Sequence, residues 1–411
     1  MTRQIDTRRV ALVVASTYPR WHGDFEPGFV HELAKRMVAT FRVIVLTPSS
    51  PGAASRECMD GVEVIRYRYA PQSMETLVYG GGITSHLRRS PWKCLLLPTF
   101  LMAQIFTLIR ATVAHRPSII HAHWAIPQGA LATLVRVLGR QRIPLLVTAH
   151  GSDVFGLRGG FFRAIRAWVG RHIDTWTVVG DLLADKLVEE GAARTRESVA
   201  VMPMGVDLSS TFARSDHRRD TDMILFVGRL VPGKGVDVLL DAMVQVAVAV
   251  PTARLEIAGD GPLRISLESR AIELGISSHI KFHGALGNHL LPELYRVAAV
   301  TAAPFTSVQG FGLTIVEALG CGCPVVTTSL GSAREMARDV SLIQFVEPGD
   351  SSGLAQSLIC ALRDPPNEVR TEASVAYVRE RYDWNTVALS YVRLYERLGL
   401  PSNGNEHATP R

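Results

Sequence analysis

The stretch VGRLVPGKGVDVLLDA, residues 227–242, decides how the second half of the chain folds. It leaves a short apolar run, 223–227, turns on Gly228 and Gly233, and enters a segment where Leu239, Met243, Val246 and Val250 recur on one helical face. A buried strand, a glycine-bearing turn and an amphipathic helix form the repeating unit of a parallel sheet. Arg229 and Lys234 stand five residues apart at the mouth of the helix. An arginine fork, a lysine point charge and helix N-terminal amides converge well on a diphosphate. The full GxxxxGK[ST] spacing of a P-loop is missing, and a solvated basic turn would carry the same residues.

A second cluster, QGFGLTIVE at 309–317, is followed by ALGCGCPVV. Gly310 and Gly312 admit a ligand close to backbone amides, and the helix after them offers its positive end to phosphate. Glu317, early in that helix, is placed to take both hydroxyls of a ribose. A carboxylate favoured by the helix dipole explains Glu317 alone, but not the glycines. Cys321 and Cys323 read as small residues packed behind this helix.

Outward from these motifs the same alternation continues. Strands are expected at 10–15, 42–47, 119–123, 145–148, 175–179 and 199–202, then at 254–258, 300–303 and 324–327; their runs are near-continuous in apolar residues, as strands buried on both faces require. Helical stripes run through Phe29, Val30, Leu33 and Met37 and through Leu131, Leu134, Val135 and Leu138. The polar stretch LSSTFARSDHRRDTD, 208–222, reads as a linker. The fold class is therefore α/β with two doubly wound domains: 1–207, the linker 208–222, 223–383, a helix at 384–400 and a disordered tail at 401–411. Ligands are expected where the carboxyl ends of the strands of both domains face each other.

Composition agrees. A chain of 411 residues, 47% hydrophobic and 20% charged, excludes disorder as the main state and has room for two cores. Five cysteines are too few and too scattered for a disulfide framework or a four-cysteine zinc site. The N-terminal apolar run is too short for a signal-peptide core. The longest apolar run, 94–109, holds Pro98 and Gln104 and falls short of the roughly 20 residues that span a bilayer. Residues 1–210 carry 25 Lys and Arg against 16 Asp and Glu, and the remainder 19 against 22. A basic first part and a slightly acidic second fit an anionic partner for the first domain, and no nucleic-acid motif accompanies the charge. Arg88, Arg89, Trp92 and Lys93, ahead of the apolar run, make 88–109 a candidate membrane-surface contact or a core helix with a basic start.

With GRLVPGKG, AGDGP (258–262), QGFGLTIVEALGCGCPVV, PMGVD (203–207), HAHW (121–124) and HGSD (150–153) in this order, the chain resembles a retaining glycosyltransferase of family 4 with the two-Rossmann GT-B architecture. The resemblance covers nearly the whole chain. It implies transfer of a sugar from a nucleotide diphosphate sugar with retained configuration, the donor being a co-substrate and no cofactor or metal being required. It also implies a C-terminal helix that crosses back to the first domain, here with Trp384, Ala388, Tyr391 and Tyr395 on one face.

Carried over residue by residue, the resemblance gives Gly228, Arg229 and Lys234 the diphosphate, Glu317 the ribose, and Gly310, Phe311, Gly312 and Leu313 the phosphate and donor sugar through backbone amides. Gln309 replaces the first glutamate of the family's paired glutamates; an amide still bonds a sugar hydroxyl but carries no charge. His123, at a strand end, matches the family's functional histidine, with a backbone-bonded buried histidine as the other reading. His121 reads as packed. His150 is a second candidate, its Gly-Ser-Asp turn being equally a helix cap. In the loop after the first strand Gly23 is expected near phosphate or acceptor, and Asp24 near an acceptor hydroxyl. Asp220 and Asp222 have DxD spacing but read as a solvated turn, and no metal is assigned.

The acceptor implied is anionic or lipid-linked, in polysaccharide synthesis, and the place of action cytoplasmic, at the inner face of the plasma membrane. Two other readings keep the fold: a nucleotide-sugar-binding subunit with weakened catalysis, and a nucleotide-sugar 2-epimerase.

Overall fold

The computed structural model describes residues 7–24, 28–140, 142–215, 218–308, 311–331, 333–336 and 340–399. Gln309, Gly310 and the tail 401–411, named above, lie outside the described residues. The described residues divide into two compact units: one takes those up to Val179, Leu183–Met202 and those from Ala388 to Gly399, the other Gly180–Leu182 and those between Pro203 and Val387.

The first unit holds β1 (Arg9–Val14), β2 (Phe41–Pro48), β3 (Arg56–Met59), β4 (Val62–Tyr67), β5 (Ile119–His123), β6 (Leu145–Ala149), β7 (Thr175–Val178) and β8 (Val199–Val201). Their order in the sheet is β3-β4-β2-β1-β5-β6-β7-β8, parallel throughout except that β3 runs against β4. Strands β5 and β6 are buried along their whole length and β1 over its last four residues, which explains their mostly apolar runs. The β3–β4 hairpin was not expected; it turns on Asp60 and Gly61, both at positive φ. The helix Ala130–Leu138 buries Leu131 and Val135, but Leu138, counted above in its buried stripe, is exposed.

The second unit holds β9 (Asp220–Val227), β10 (Arg254–Ala258), β11 (Ile280–Gly284), β12 (Ala298–Ala303), β13 (Val325–Thr328) and β14 (Ile343–Val346) in the order β11-β10-β9-β12-β13-β14, all parallel. The helices Val236–Ala249 and Ser351–Arg363 press Leu239, Met243, Leu354 and Leu358 onto Ile224, Ile257 and Val300 of the sheet.

The expected linker is more ordered than its polarity suggests. Leu208 and Phe212 are buried, Asp207 accepts hydrogen bonds from the hydroxyls of Ser210 and Thr211, and Arg296 donates to the carbonyls of Thr211 and Ala213. Compact structure of the second unit thus begins at Pro203, and β9 starts inside the stretch, at Asp220. Asp220 is no solvated turn: it opens the strand and pairs with Arg254. At the other end, the helix Trp384–Gly399 begins in the second unit and belongs to the first from Ala388, with Ala388, Tyr391 and Tyr395 buried there.

Candidate functional site

In a doubly wound sheet, successive crossovers run outward in two directions from one point, and the loops that leave the strand ends there diverge to open a crevice. In the second unit that point lies between β9 and β12, in the first between β1 and β5. The segments that follow these strands carry most of the residues singled out above.

In the second unit, β9 leads into Gly228-Arg-Leu-Val-Pro-Gly-Lys-Gly235 and the helix Val236–Ala249. Gly235 has φ +71°, and a Cβ there would sit 1.8 Å from the carbonyl oxygen of Pro304, so only glycine lets the turn lie against the chain leaving β12. Thr306 N–H donates to Gly233 O at 3.0 Å and closes the same contact. From the other side AGDGP supports the turn: a Cβ on Gly259 would meet Gly228 O at 1.8 Å, and Leu230 N–H donates to Asp260 O at 2.9 Å. Those glycines therefore shape the turn from behind.

The turn places Lys234 half-buried with its Nζ 4.9 Å from the Phe305 ring centroid, while Arg229 is exposed. Burial, and secondly the charge of Arg229, lower the Lys234 pKa. Two cations that disfavour each other gain from an anion that meets both.

After β12, Phe311 is buried edge-on to Tyr382 (centroids 5.7 Å), and Gly312, at φ +83°, caps the helix Leu313–Gly320. Glu317 lies in that helix, buried, and accepts a hydrogen bond of 2.9 Å from the hydroxyl of Tyr295. Burial pushes the Glu317 carboxyl up to about 7 despite that bond. Tyr295, in the short helix Leu291–Val297, was not singled out in the sequence. Arg219 ties the ends of both helices, donating to the carbonyls of Tyr295, Arg296, Ala298 and Cys321. Cys321 and Cys323, which follow this helix, are buried, as small packed residues would be.

At the other switch point, His123 ends β5 and His150 follows β6. His123 Nδ1 and His150 Nε2 lie 3.0 Å apart and the rings are stacked. His123 Nε2 and His150 Nδ1 are buried and have no hydrogen-bond partner among the described residues. Burial, with its histidine neighbours secondary, holds His123 well below its ordinary pKa, and burial lowers His150 to about 3, so both rings are neutral. A neutral imidazole has one N–H. Whichever nitrogen carries the shared proton, the two outer nitrogens are one donor and one acceptor, a match for a hydroxyl-rich ligand.

Phe29 and Trp124 flank His150, with ring centroids 4.9 and 5.0 Å away. Neither aromatic was read as a site residue from the sequence, where Phe29 counts only in a helical stripe and Trp124 only as the end of HAHW. Asp153, rather than Ser152, fixes the turn after β6, accepting from the N–H groups of Ala125, His150 and Gly151. His121 is packed as expected, bonded to Tyr395 and Thr148 at 2.6 Å each. Gly23, at φ +78°, has open space around it. Asp24 differs from its expected role: its buried carboxylate takes both ends of the Arg20 guanidinium, at 2.7 and 2.8 Å, and so holds its own loop. Among the described residues, no group of three His, Cys, Asp or Glu side chains comes together as a metal would need.

Two doubly wound units, each with its chemistry gathered at the switch point, are the GT-B architecture of glycosyltransferases. Residues 29–210 match the family described as Glycosyltransferase Family 4, and residues 209–376 that described as Glycosyl transferases group 1. The chain is 32% identical over 259 residues to the phosphatidyl-myo-inositol mannosyltransferase of Mycobacterium leprae (strain TN), covering 62% of this chain and 67% of that one. To the D-inositol 3-phosphate glycosyltransferase of Frankia alni it is 30% identical over 345 residues, covering 74% and 81%. In fold it is similar to sucrose-phosphate synthase from Thermosynechococcus elongatus, with TM-score 0.74 at 20% identity over 95% of this chain and 99% of that one. The chain belongs to glycosyltransferase family 4.

Proposed function

We propose that this glycosyltransferase moves a sugar from a nucleotide diphosphate sugar, with retained anomeric configuration and without a metal, to a hydroxyl of an anionic, lipid-linked glycan intermediate of polysaccharide synthesis on the cytoplasmic side of a membrane. The observation that carries the donor half is Lys234, half-buried over Phe305 beside Arg229. A diphosphate relieves the repulsion of the two cations, and Glu317, oriented by Tyr295, takes the ribose hydroxyls.

As the bond from the anomeric carbon to the diphosphate oxygen breaks, Arg229, Lys234 and the amides at the start of Leu313–Gly320 neutralise the charge that develops on the leaving group. The acceptor hydroxyl attacks from the face the diphosphate leaves and passes its proton to a leaving phosphate oxygen, so that no protein nucleophile is needed. The His123–His150 pair supports recognition of hydroxyl groups in the first unit. The excess of Lys and Arg in residues 1–210 supports an anionic acceptor, as do the names of two relatives, each including a phosphorylated inositol.

The test is a set of reactions with UDP-, GDP- and ADP-sugars, with and without a polyprenyl diphosphate or phospholipid-linked acceptor, the product anomer read by NMR. Transfer with retention, unchanged by EDTA, is expected. Neither transfer nor slow donor hydrolysis would leave a binding subunit, an inverted product would overturn retention, and activity confined to soluble acceptors would remove the lipid.

A further inference from the structure

The segment Pro91–His115 has two faces. Pro91–Leu96 is a tight 3-10 stretch that runs into the helix Leu97–His115. Inward, Leu96, Phe100, Gln104 and Leu108 are buried; Phe100 packs on Tyr67 and Tyr69, and the hydroxyl of Tyr67 donates to Gln104 Oε1 at 3.2 Å. Outward, Trp92, Leu95, Met102, Phe106, Ile109 and Val113 follow one another at helical spacing, each between 43% and 75% exposed. Six large apolar side chains in one solvent-facing stripe are unusual on a water-soluble surface.

The charge around the stripe has one sign. From residue 76 to residue 152 the chain carries eight Lys and Arg and no Asp or Glu. Arg88 and Arg89 are exposed just before the stripe, Arg116 is exposed just after it, and the guanidinium of Arg110 lies 5.5 Å from the Phe106 ring centroid. The segment is 25 residues long and holds an 18-residue stretch of mean hydropathy 1.7, long and apolar enough to cross a bilayer, yet its inner face packs as the crossover from β4 to β5. A helix fixed on one side to a sheet, with an apolar outer stripe between arginines, fits the plane of a membrane interface and not a span.

We infer that the outer face of Pro91–His115 is a docking surface that seats the first unit on an anionic phospholipid bilayer. Because the helix runs back along the sheet between β4 and β5, its Trp92 and Leu95 end lies at the carboxyl ends of the strands, the end that carries His123 and His150. Docking on this face holds that end beside the headgroups, where a lipid-linked acceptor presents its hydroxyl. The inference deepens the proposed acceptor class but rests on an independent surface, so its test needs no sugar donor.

The experiment is co-sedimentation of the full chain with vesicles of phosphatidylcholine alone and of phosphatidylcholine mixed with phosphatidylglycerol. Binding is expected to the mixed vesicles, to weaken as salt rises, and to fall about tenfold or more in a Leu95→Gln, Met102→Gln, Phe106→Gln variant and in an Arg88→Gln, Arg89→Gln, Arg110→Gln variant. Both variants should keep their melting temperature and their thermal shift with nucleotide sugars, which separates loss of docking from failure of the donor assignment. If the apolar variant does not fold, the arginine variant, changed only at solvated side chains, carries the test. Equal binding by wild type and variants, or no binding by wild type, overturns the inference. A concentration-dependent dimer that the apolar changes convert to monomer also overturns it, in favour of a second copy on this face.

Discussion

At the switch point of the second unit the turn after β9 presents Arg229 and a half-buried Lys234, whereas at that of the first the ends of β5 and β6 present two neutral imidazoles. Overall charge is distributed the other way: residues 1–210 carry the excess of Lys and Arg, and the remainder carries more Asp and Glu. The difference separates two tasks. A diphosphate needs fixed positive charge at one place, which three or four groups supply whatever the sign of the rest of the domain. A sugar hydroxyl needs a matched donor and acceptor held apart from water, and a charged group would bind it with less discrimination. Net charge acts at longer range, in steering and surface attachment, and is a poor guide to either pocket.

The largest effect should come from the charged side. Lys234→Ala should lower kcat for transfer by about a hundred- to a thousandfold, the loss seen when one transition-state donor is removed. Because the folded state disfavours the charge of Lys234, its removal should leave the melting temperature of the unliganded protein unchanged or slightly higher. Steady-state kinetics beside thermal denaturation checks both. If His123→Ala proves as damaging to kcat as Lys234→Ala, the division of labour between the two switch points fails.

Next in size is Glu317→Gln. The carboxyl titrates near 7 when folded and near 4.5 in its ordinary state, so between these values the folded protein keeps a proton that the unfolded chain releases. Stability then falls as pH rises through this window, and above pH 7 the full cost is present. At about 1.4 kcal/mol per unit this is on the order of 3–4 kcal/mol. The glutamine variant avoids it, so it should be more stable than wild type by about that amount at pH 8 and equal to it near pH 4. Denaturant titrations at the two pH values test the sign, and the same variant should bind the nucleotide sugar more weakly, since an amide accepts from only one ribose hydroxyl.

How much of this was readable in the sequence follows from how local each feature is. Strand β5 is legible because it is buried along its whole length and only the packed His121 and the candidate His123 break its apolar run; in β10 the buried Leu255, Ile257 and Ala258 carry the signal past the partly exposed Arg254 and Glu256. The β3–β4 hairpin is not, since Arg56, Glu57, Glu63 and Arg66 interrupt it, although Asp60-Gly61 is a turn signal by itself. Arg229 and Lys234 announce themselves within one turn. The Tyr295–Glu317 and His123–His150 pairs do not, because partners 22 and 27 residues apart meet only once the sheet has set which strands are neighbours. The stretch 208–222 misleads for a different reason: its structure rests on Arg219 and Arg296 donating to backbone carbonyls and on two isolated apolar anchors, none of which leaves a period.

A smaller effect sharpens the contrast at the Glu317 site. Tyr295→Phe removes the hydroxyl that donates to the carboxylate, worth about 1 kcal/mol, and should raise KM for the donor severalfold with little change in kcat. A change confined to kcat would mean that Tyr295 acts on the transition state and not on the ribose.

The smallest effect belongs to the imidazole pair, and its signature is pH. His150→Asn keeps a donor and an acceptor but breaks the one-proton coupling to His123, so acceptor KM should rise about fivefold, roughly 1 kcal/mol, with donor KM unchanged. In wild type both rings stay neutral through the neutral range, because burial holds His150 near 3 and His123 well below 6.5. Acceptor KM should therefore be flat from pH 6 to 8, while donor KM responds to Glu317 near 7. For stability the signs oppose: the unfolded histidines bind protons below about 6.5 and the folded ones do not, so the pair destabilises the protein as pH falls, whereas Glu317 destabilises it as pH rises. A KM profile for the acceptor with a midpoint near 6.5 would show an imidazole open to solvent and erase the distinction between the two switch points.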